Sequence, residues 1–387
     1  MVIALVNVRV LTPDEEIPRA AVVLQEGRIA AVGEGLPPPA AAQVIDLAGL
    51  TLAPGFIDIH VHGGGGFSLM TEDSEEIRSY ARWVVSKGVT AFLITLVAAR
   101  RPQMERWLAV AASVGESVPG GAWPLGIYLE GPFLNPKRKG AIPADGLRPP
   151  DVSEFLAHVR TARGRLKTIA LAPELTGARE LIVAVREQGL VASIGHSDAT
   201  YEEALDAISL GVTQATHCFN AMRPFHHRDP GCLGAVLASP QVAAELIADG
   251  VHVHPGAMAL LLRAKGPQKT ILVTDGVVPA GLAPGRYSLF GQQIEVTGQV
   301  ATLADGTLAG SATTMDQTVR NLVQLGLASL REALRMASLN AAAALGLEGS
   351  KGRIARGFDG DLVALDEGLQ VAMTFVGGEL AFCRPKA

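Results

Sequence analysis

The stretch GFIDIHVHGGGG, Gly55 to Gly66, is where the chain changes character. Before it, the first fifty residues read as short strands punctuated by Gly and Pro (VIALVNVRVL, AAVVLQEGRIAAVG, QVIDLAG), with no helical periodicity. From Phe56 onward, short apolar runs alternate with helix-like segments, the signature of repeated βα units and a parallel sheet. Eight such runs can be counted: FIDIHVH, VTAFLIT, LGIYLE, TIALAPE, VASIGH, VTQATH, VAAELIAD and TILVTDG. Between most of them lie amphipathic stretches such as SEEIRSYARWVVSKG and GARELIVAVREQG, each closing on a Gly suited to a helix C-cap. Eight βα units imply a barrel.

Beyond the eighth run, residues 284–305 alternate like a hairpin, two helices follow, and the tail GRIARGFDGDLVALD…VAMTFVGGELAF returns to strands. Those strands are expected to pair with the first fifty residues. The expected fold is therefore α/β: a (β/α)8 TIM-like barrel over residues 54–350, with a small β-sandwich domain built from both termini, residues 1–53 and 351–387.

Composition narrows the function classes. The chain has 387 residues, 48% hydrophobic and 18% charged, enough to bury a large core. Its formal net charge of −5, without long runs of one sign, offers no electrostatic footprint for nucleic acid or for an anionic membrane. An enzyme acting on a small molecule fits better. Three scattered cysteines, Cys218, Cys232 and Cys383, form neither a disulfide framework nor a CxxC zinc site and point to a reducing, cytoplasmic setting. The N-terminus is apolar but has no basic lead-in or small-residue cleavage site, so it reads as a strand rather than a leader.

In a (β/α)8 barrel the active site lies at the C-terminal ends of the strands. Strand one ends in His60 and His62, strand three in Glu130, strand five in His196, strand six in His217 and strand eight in Asp275. On a strand, residues i and i+2 face the same side, so His60 and His62 can reach one point. Imidazoles and carboxylates converging on one mouth match the ligand chemistry of a first-row divalent ion, Zn²⁺ ahead of Fe²⁺, Mn²⁺ and Co²⁺. Such an ion acts as a Lewis acid and lowers the pKa of bound water towards ~7, which makes hydrolysis the natural reaction class. Asp275 is then placed as general base and afterwards as general acid.

The residues also carry a resemblance. PGFIDIHVHG, YLEGPFLNPKRKGA, GHSDATYEEA, THCFNAM, IADGVHVHP, TDG…PAG and LAGSATTMDQTVRNL together resemble the N-acetylglucosamine-6-phosphate deacetylases of the amidohydrolase superfamily, from about Pro54 to Asn340. LEGPFLNP with FNAM and LAGS is specific to that family, whereas HxH alone marks the superfamily. The resemblance implies a homodimer of barrels acting on an amino sugar phosphate. It implies that Glu130, His196 and His217 hold the main metal, and that His60 and His62 add a second, so that one or two ions bind per subunit. It assigns the acid/base role to Asp275. Asn220, Ala221 and Arg228 would grip the sugar phosphate, Arg228 with its forked donor. Ala141 and His252 would contact substrate, and Leu308, Ala309 and Gly310 would form a loop lining the sugar. No role falls to His254; Glu174 reads as structural, Cys218 as turned away from the metal, and the four glycines as giving room beside it.

One departure bears on specificity: where the family usually has KKGAH, this chain has RKGAIP, with Ile142 in place of a histidine that touches substrate. That keeps N-acetylgalactosamine 6-phosphate open as an alternative substrate. A cyclic amidohydrolase of the dihydroorotase or hydantoinase kind would need a carboxylated lysine where Glu130 stands. A non-catalytic binding module on the same fold is the remaining reading.

Overall fold

The computed structural model describes residues 2–289 and 291–385. Each of the eight runs contributes a strand to one parallel sheet: Phe56–Asp58, Val89–Val97, Trp123–Glu130, Leu166–Leu171, Val191–Ile194, Gln214–Ala215, Ala243–Ile247 and Thr270–Val273, hydrogen-bonded in chain order. Side chains alternate across it. Ile57, Ala91, Leu93, Tyr128, Ala170, Ile247, Ile271 and Val273 pack together inside the barrel. Their neighbours Phe92, Ile94, Leu129, Ile169 and Leu272 join the larger cluster under the outer helices. The second strand is accordingly buried at all nine positions, the pattern of a strand covered on both faces.

The seam between the first and eighth strands matters most for the site. It closes just beyond both strands, where the Asp275 amide donates to the His60 carbonyl (2.9 Å) and the His62 amide to the Gly276 carbonyl (2.8 Å). Below these, the Thr274 hydroxyl donates to Asp58 Oδ2 at 2.5 Å, and the Thr274 and His60 amides both reach Asp58 Oδ1 at 3.3 Å. Burial pushes the Asp58 carboxyl up to about 7 against these hydrogen bonds. The backbones that shut the barrel thus belong to candidate site residues.

The two termini meet in one eight-stranded sheet, where Leu362–Leu365 pairs antiparallel with Thr51–Pro54. This sheet has a core of its own, including Leu5, Val22, Leu24, Leu52, Leu362 and Phe375. Two local expectations change. Residues 284–305 do not stop at a hairpin: Gly285–Leu289, Gln292–Thr297, Val300–Leu303 and Leu308–Ser311 form a four-stranded antiparallel sheet, with Phe290 outside the described residues. Three helices follow instead of two, Met315–Gln324, Leu330–Ala337 and Leu339–Ala344. Ser338 separates the last two, its φ of −137° being non-helical and its hydroxyl donating back to the Leu334 carbonyl. Met1, Lys386 and Ala387, within the expected small domain, also lie outside the described residues. Among those described, no helix is long and apolar enough to cross a membrane.

Candidate active site

The six strand-end candidates meet at the barrel mouth. Only Glu130 is itself the last residue of a strand; the histidines and Asp275 stand two to four residues past theirs, where the chain is free to turn. Three of them take left-handed backbone, His196 at φ 48°, His217 at φ 27° and Asp275 at φ 49°. For non-glycine residues that costs about 1–3 kcal/mol each and persists where the surroundings enforce it. Here the enforcement is visible: the Asn135 amide donates to the His196 carbonyl, and the Ser311 amide to the Asp275 carbonyl.

Glu130 is central. Its Oε1 lies 2.8 Å from His196 Nε2, 2.9 Å from His217 Nε2 and 3.6 Å from His60 Nε2, while Oε2 lies 3.2 Å from His62 Nε2. Asp275 Oδ1 is 3.2 Å from His62 Nε2 and 3.7 Å from His60 Nε2. The far nitrogens fix the tautomers. His60 Nδ1 faces Glu245 Oε2 at 2.8 Å, His62 Nδ1 the Thr95 carbonyl at 3.2 Å, and His196 Nδ1 the Arg138 carbonyl at 2.7 Å. All three partners are acceptors, so Nδ1 carries hydrogen in each ring and the Nε2 lone pair points into the mouth.

Lone pairs aimed at carboxylate oxygens repel unless a cation stands between them. Among the described residues, His60 Nε2, fully buried, has no hydrogen-bond partner. The donors group as His60, Glu130 and His217, and as His60, His62 and Asp275, with ligand atoms within 4.8 Å of one another in each group. This donor set fits a divalent ion. Without an ion the site holds protons: burial presses His62 down, yet Asp275 and Glu130 raise it to about 9. Burial pushes Glu130 up, but His60, His196 and His217 hold it well below the usual range, and His62 and His60 likewise lower Asp275. A metal entering would displace those protons.

A cavity of about 290 Å³ opens above, lined by five of the six residues together with Ala141, Ile142, Asn220, Ala221, His252, Leu308 and Gly310. His252 Nδ1 donates to Asp249 Oδ2 at 2.6 Å, which leaves Nε2 for the cavity. His254 has a different task, capping the helix Pro255–Lys265 by accepting the Gly256 amide. Leu308, Ala309 and Gly310 lie on a strand rather than a loop. Strand alternation turns the Ala309 side chain away from the cavity, into the core with Val277, Leu289 and Ile294. Arg228 is not in the cavity lining; it is exposed, with Nη1 2.9 Å from His227 Nε2. Ile142 packs with Val97, Ala98 and Leu134, so that wall is apolar.

The glycine run has another reason than room beside a metal. It makes a tight two-stranded turn under Trp83: a Cβ on Gly64 or Gly65 would lie 2.6 or 2.4 Å from the indole, and one on Gly63 would strike the Phe67 carbonyl. Glu174 is structural as expected, accepting from Asn135 Nδ2, Ser197 Oγ and the Asp198 amide. Cys218 is buried away from the ligand groups. Sequence reasoning passed over two buried acids, Asp58 and Glu245. Their signal was there, a single carboxylate inside each of the apolar runs FIDIH and AAELI.

The amidohydrolase family model matches residues 51–381. The chain belongs to the amidohydrolase family. Among its relatives, the N-acetylglucosamine-6-phosphate deacetylase of Bacillus subtilis is 37% identical over 98% of this chain and 97% of its own. The N-acetylgalactosamine-6-phosphate deacetylase of Escherichia coli O157:H7 is 36% identical over 96% and 97%. Of solved structures, the N-acetyl-D-glucosamine-6-phosphate deacetylase of Mycobacterium smegmatis, a mutant in complex with N-acetyl-D-glucosamine-6-phosphate, superposes with a TM-score of 0.92 at 34% identity, covering 98% of this chain and 99% of that one.

Proposed function

We infer that this protein hydrolyses the N-acetyl group of N-acetylglucosamine 6-phosphate, giving acetate and glucosamine 6-phosphate. The observation that carries the reading is the set of Nε2 lone pairs and two carboxylates aimed at one point beneath a cavity of sugar size. Near-full-length similarity to deacetylases of amino sugar phosphates supports the substrate class. Glu130, His196 and His217 would hold one divalent ion and His60 and His62 a second, zinc first among the candidates. When bound, such an ion polarises the amide carbonyl and acidifies water.

The chain's own residues do the rest. Asp275, ionised at neutral pH because His62 and His60 offset its burial, accepts a proton from the attacking water and returns it to the departing amine. Its backbone is clamped on both sides, by the His60 carbonyl and the Ser311 amide, so Oδ1 stays aimed at the mouth. Burial presses His252 down, but the Asp249 carboxylate on Nδ1 raises it above its usual 6.5; in the protonated ring Nε2–H can donate to the substrate oxygen that gains charge. Asn220, the Ala221 backbone, Ala141, Leu308 and Gly310 would seat the sugar. Arg228 would meet the phosphate from its exposed loop, remote binding energy that orients the amide. The reading extends to a cytoplasmic homodimer, and to a small β domain of residues 1–53 and 351–387 around a barrel of residues 54–350.

One second reading, deacetylation of N-acetylgalactosamine 6-phosphate, stays open because Ile142 offers no hydrogen bond at that wall and because a deacetylase of that phosphate is among the relatives. Acetate release from both phosphates and from unphosphorylated N-acetylglucosamine, on protein of measured metal content, decides between them. Fast release from the gluco phosphate supports the first reading; preference for the galacto phosphate supports the second. No release from either by metal-loaded protein sinks both.

A further inference from the structure

We infer that Glu245, on the seventh barrel strand, is a positioning residue that fixes His60 as a ligand and so sets how many ions the mouth holds. The inference rests on the metal-dependent reading of the mouth and goes beyond it to a residue that reaches neither substrate nor the reacting atoms.

Glu245 is fully buried, and both of its oxygens are engaged. Oε2 takes the His60 Nδ1 hydrogen at 2.8 Å and the His217 amide at 3.1 Å, while Oε1 takes the Gln214 amide hydrogen at 2.6 Å. Its carbonyl also accepts the Cys218 amide at 2.9 Å. The carboxylate therefore cannot swing, and it ties the segment after strand six to the histidine after strand one. Among the described residues its only ionic partner is His60, so the charge it brings into the barrel is compensated through that ring. A carboxylate on Nδ1–H holds Nε2 as the lone-pair nitrogen, orients the ring and makes it a better ligand, an arrangement whose loss typically weakens metal binding 10–100-fold.

The effect should fall on one ion. His60 belongs to both donor groups, but Glu130 and His217 also have His196 beside them, whereas His62 and Asp275 depend on His60 to complete theirs. His196, by contrast, is oriented by the Arg138 carbonyl and meets Glu130 without help from Glu245. The ion on Glu130, His196 and His217 would lose only the tie from Glu245 to the His217 amide, whereas the ion that needs His60 would lose the support of a ligand ring itself.

The test is metal binding rather than turnover. Metal-stripped wild type, Glu245→Gln and Glu245→Asp are titrated with Co²⁺ against a chromophoric chelator, counting ions per chain and recording the cobalt absorption bands, with thermal unfolding as a check on the fold. Gln keeps the length and removes the charge; Asp keeps the charge and withdraws it by one methylene. The expected result is two ions on wild type, and in both variants one ion held as before with the other about 10–100-fold weaker and its cobalt bands altered. Equal affinity for both ions in all three proteins overturns the inference, as does rescue by Asp alone, which would mark a need for buried charge and not for position. A wild type that takes up one ion overturns the claim about ion number. A wild type that takes up none overturns the metal reading first, and this inference with it. Should both variants fail to fold, Gln214→Met, which frees Oε1 alone, is expected to loosen the second ion; unchanged affinity there counts against the proposal equally.

Discussion

The barrel interior has two polar storeys, and they are finished differently. In the lower one, Tyr128 and Ser193 each meet Thr216 Oγ1 at 2.7 Å, Gln214 donates to Glu245 at 2.6 Å, and Thr274 donates to Asp58 at 2.5 Å. Donor meets acceptor. In the upper one, three imidazole lone pairs and two carboxylates face each other across 2.8–3.7 Å. Acceptor meets acceptor. Buried polar groups are nearly always paired within the protein or by something bound to it. The lower storey is completed by the chain, and the upper one by protons on its imidazoles or by a cation that displaces them. The contrast separates polar residues paired within the chain from those left facing one another at the mouth, though all but Asp275 are buried.

The largest effect expected from this contrast follows metal removal. Chelation should abolish acetate release and lower the unfolding temperature, because an ion that binds only the folded state stabilises it by about 2.7 kcal/mol at a hundredfold excess over Kd. Adding Zn²⁺ back should restore both. Activity and melting that are indifferent to chelator would show that the upper storey is complete without an ion. Next in size is Asp275→Asn, which keeps the shape and removes the base. Turnover should fall about 10²- to 10⁴-fold, with bound metal and unfolding temperature close to wild type. Loss of the metal in that variant would instead make Asp275 chiefly a ligand.

Much of the upper storey was legible because a barrel places function at strand ends, and the histidines and acids interrupt apolar runs at those ends. All eight runs became strands, since an unbroken apolar stretch closed by Gly or polar residues has few other uses. The lower storey was harder to read. Thr216, Ser193 and Tyr128 look like ordinary strand residues, and only their convergence across strands makes a network. Glu245 and Asp58 were overlooked because each lies one or two turns of pleat below the mouth. Side-chain direction was also hidden: Ala309 shares a motif with Leu308 and Gly310 but its side chain faces the other way, and Gly63, Gly64 and Gly65 sit against Trp83 and Phe67.

A third buried cluster, outside the barrel, sharpens the contrast through pH. Arg148 Nε donates to Glu154 Oε1 at 2.8 Å, and His158 Nε2 lies 3.1 Å from the same oxygen. Burial, with Arg148 alongside, lowers His158 from its usual 6.5 even though Glu154 opposes this. Burial raises Glu154, but the Arg148 hydrogen bonds outweigh it and leave the carboxyl below 4.5. Both groups bind protons more readily when unfolded, so both act with the same sign. Stability is present above pH 6.5, begins to fall as His158 of the unfolded chain protonates, and falls further below 4.5 as Glu154 does. Unfolding temperature against pH should show this, and His158→Gln should flatten the segment just below pH 6.5 in metal-loaded and stripped protein alike. A flattening that depends on metal would mean that the cluster is not independent of the mouth.

The smallest effect is the most direct check on the lower storey. Tyr128→Phe removes one hydroxyl from the Thr216 network while the ring, 4.8 Å from the His60 ring centroid, stays in place. Thr216 Oγ1 retains Ser193 as a partner, so no group is left wholly unpaired. The cost should therefore be that of one ordinary hydrogen bond, about 0.5–1.5 kcal/mol, read as a small drop in denaturation midpoint at unchanged slope. Metal affinity and acetate release should not move, because the hydroxyl orients no ligand nitrogen. If they did move, the hydroxyl network would, like Glu245, have to be counted as support for the mouth.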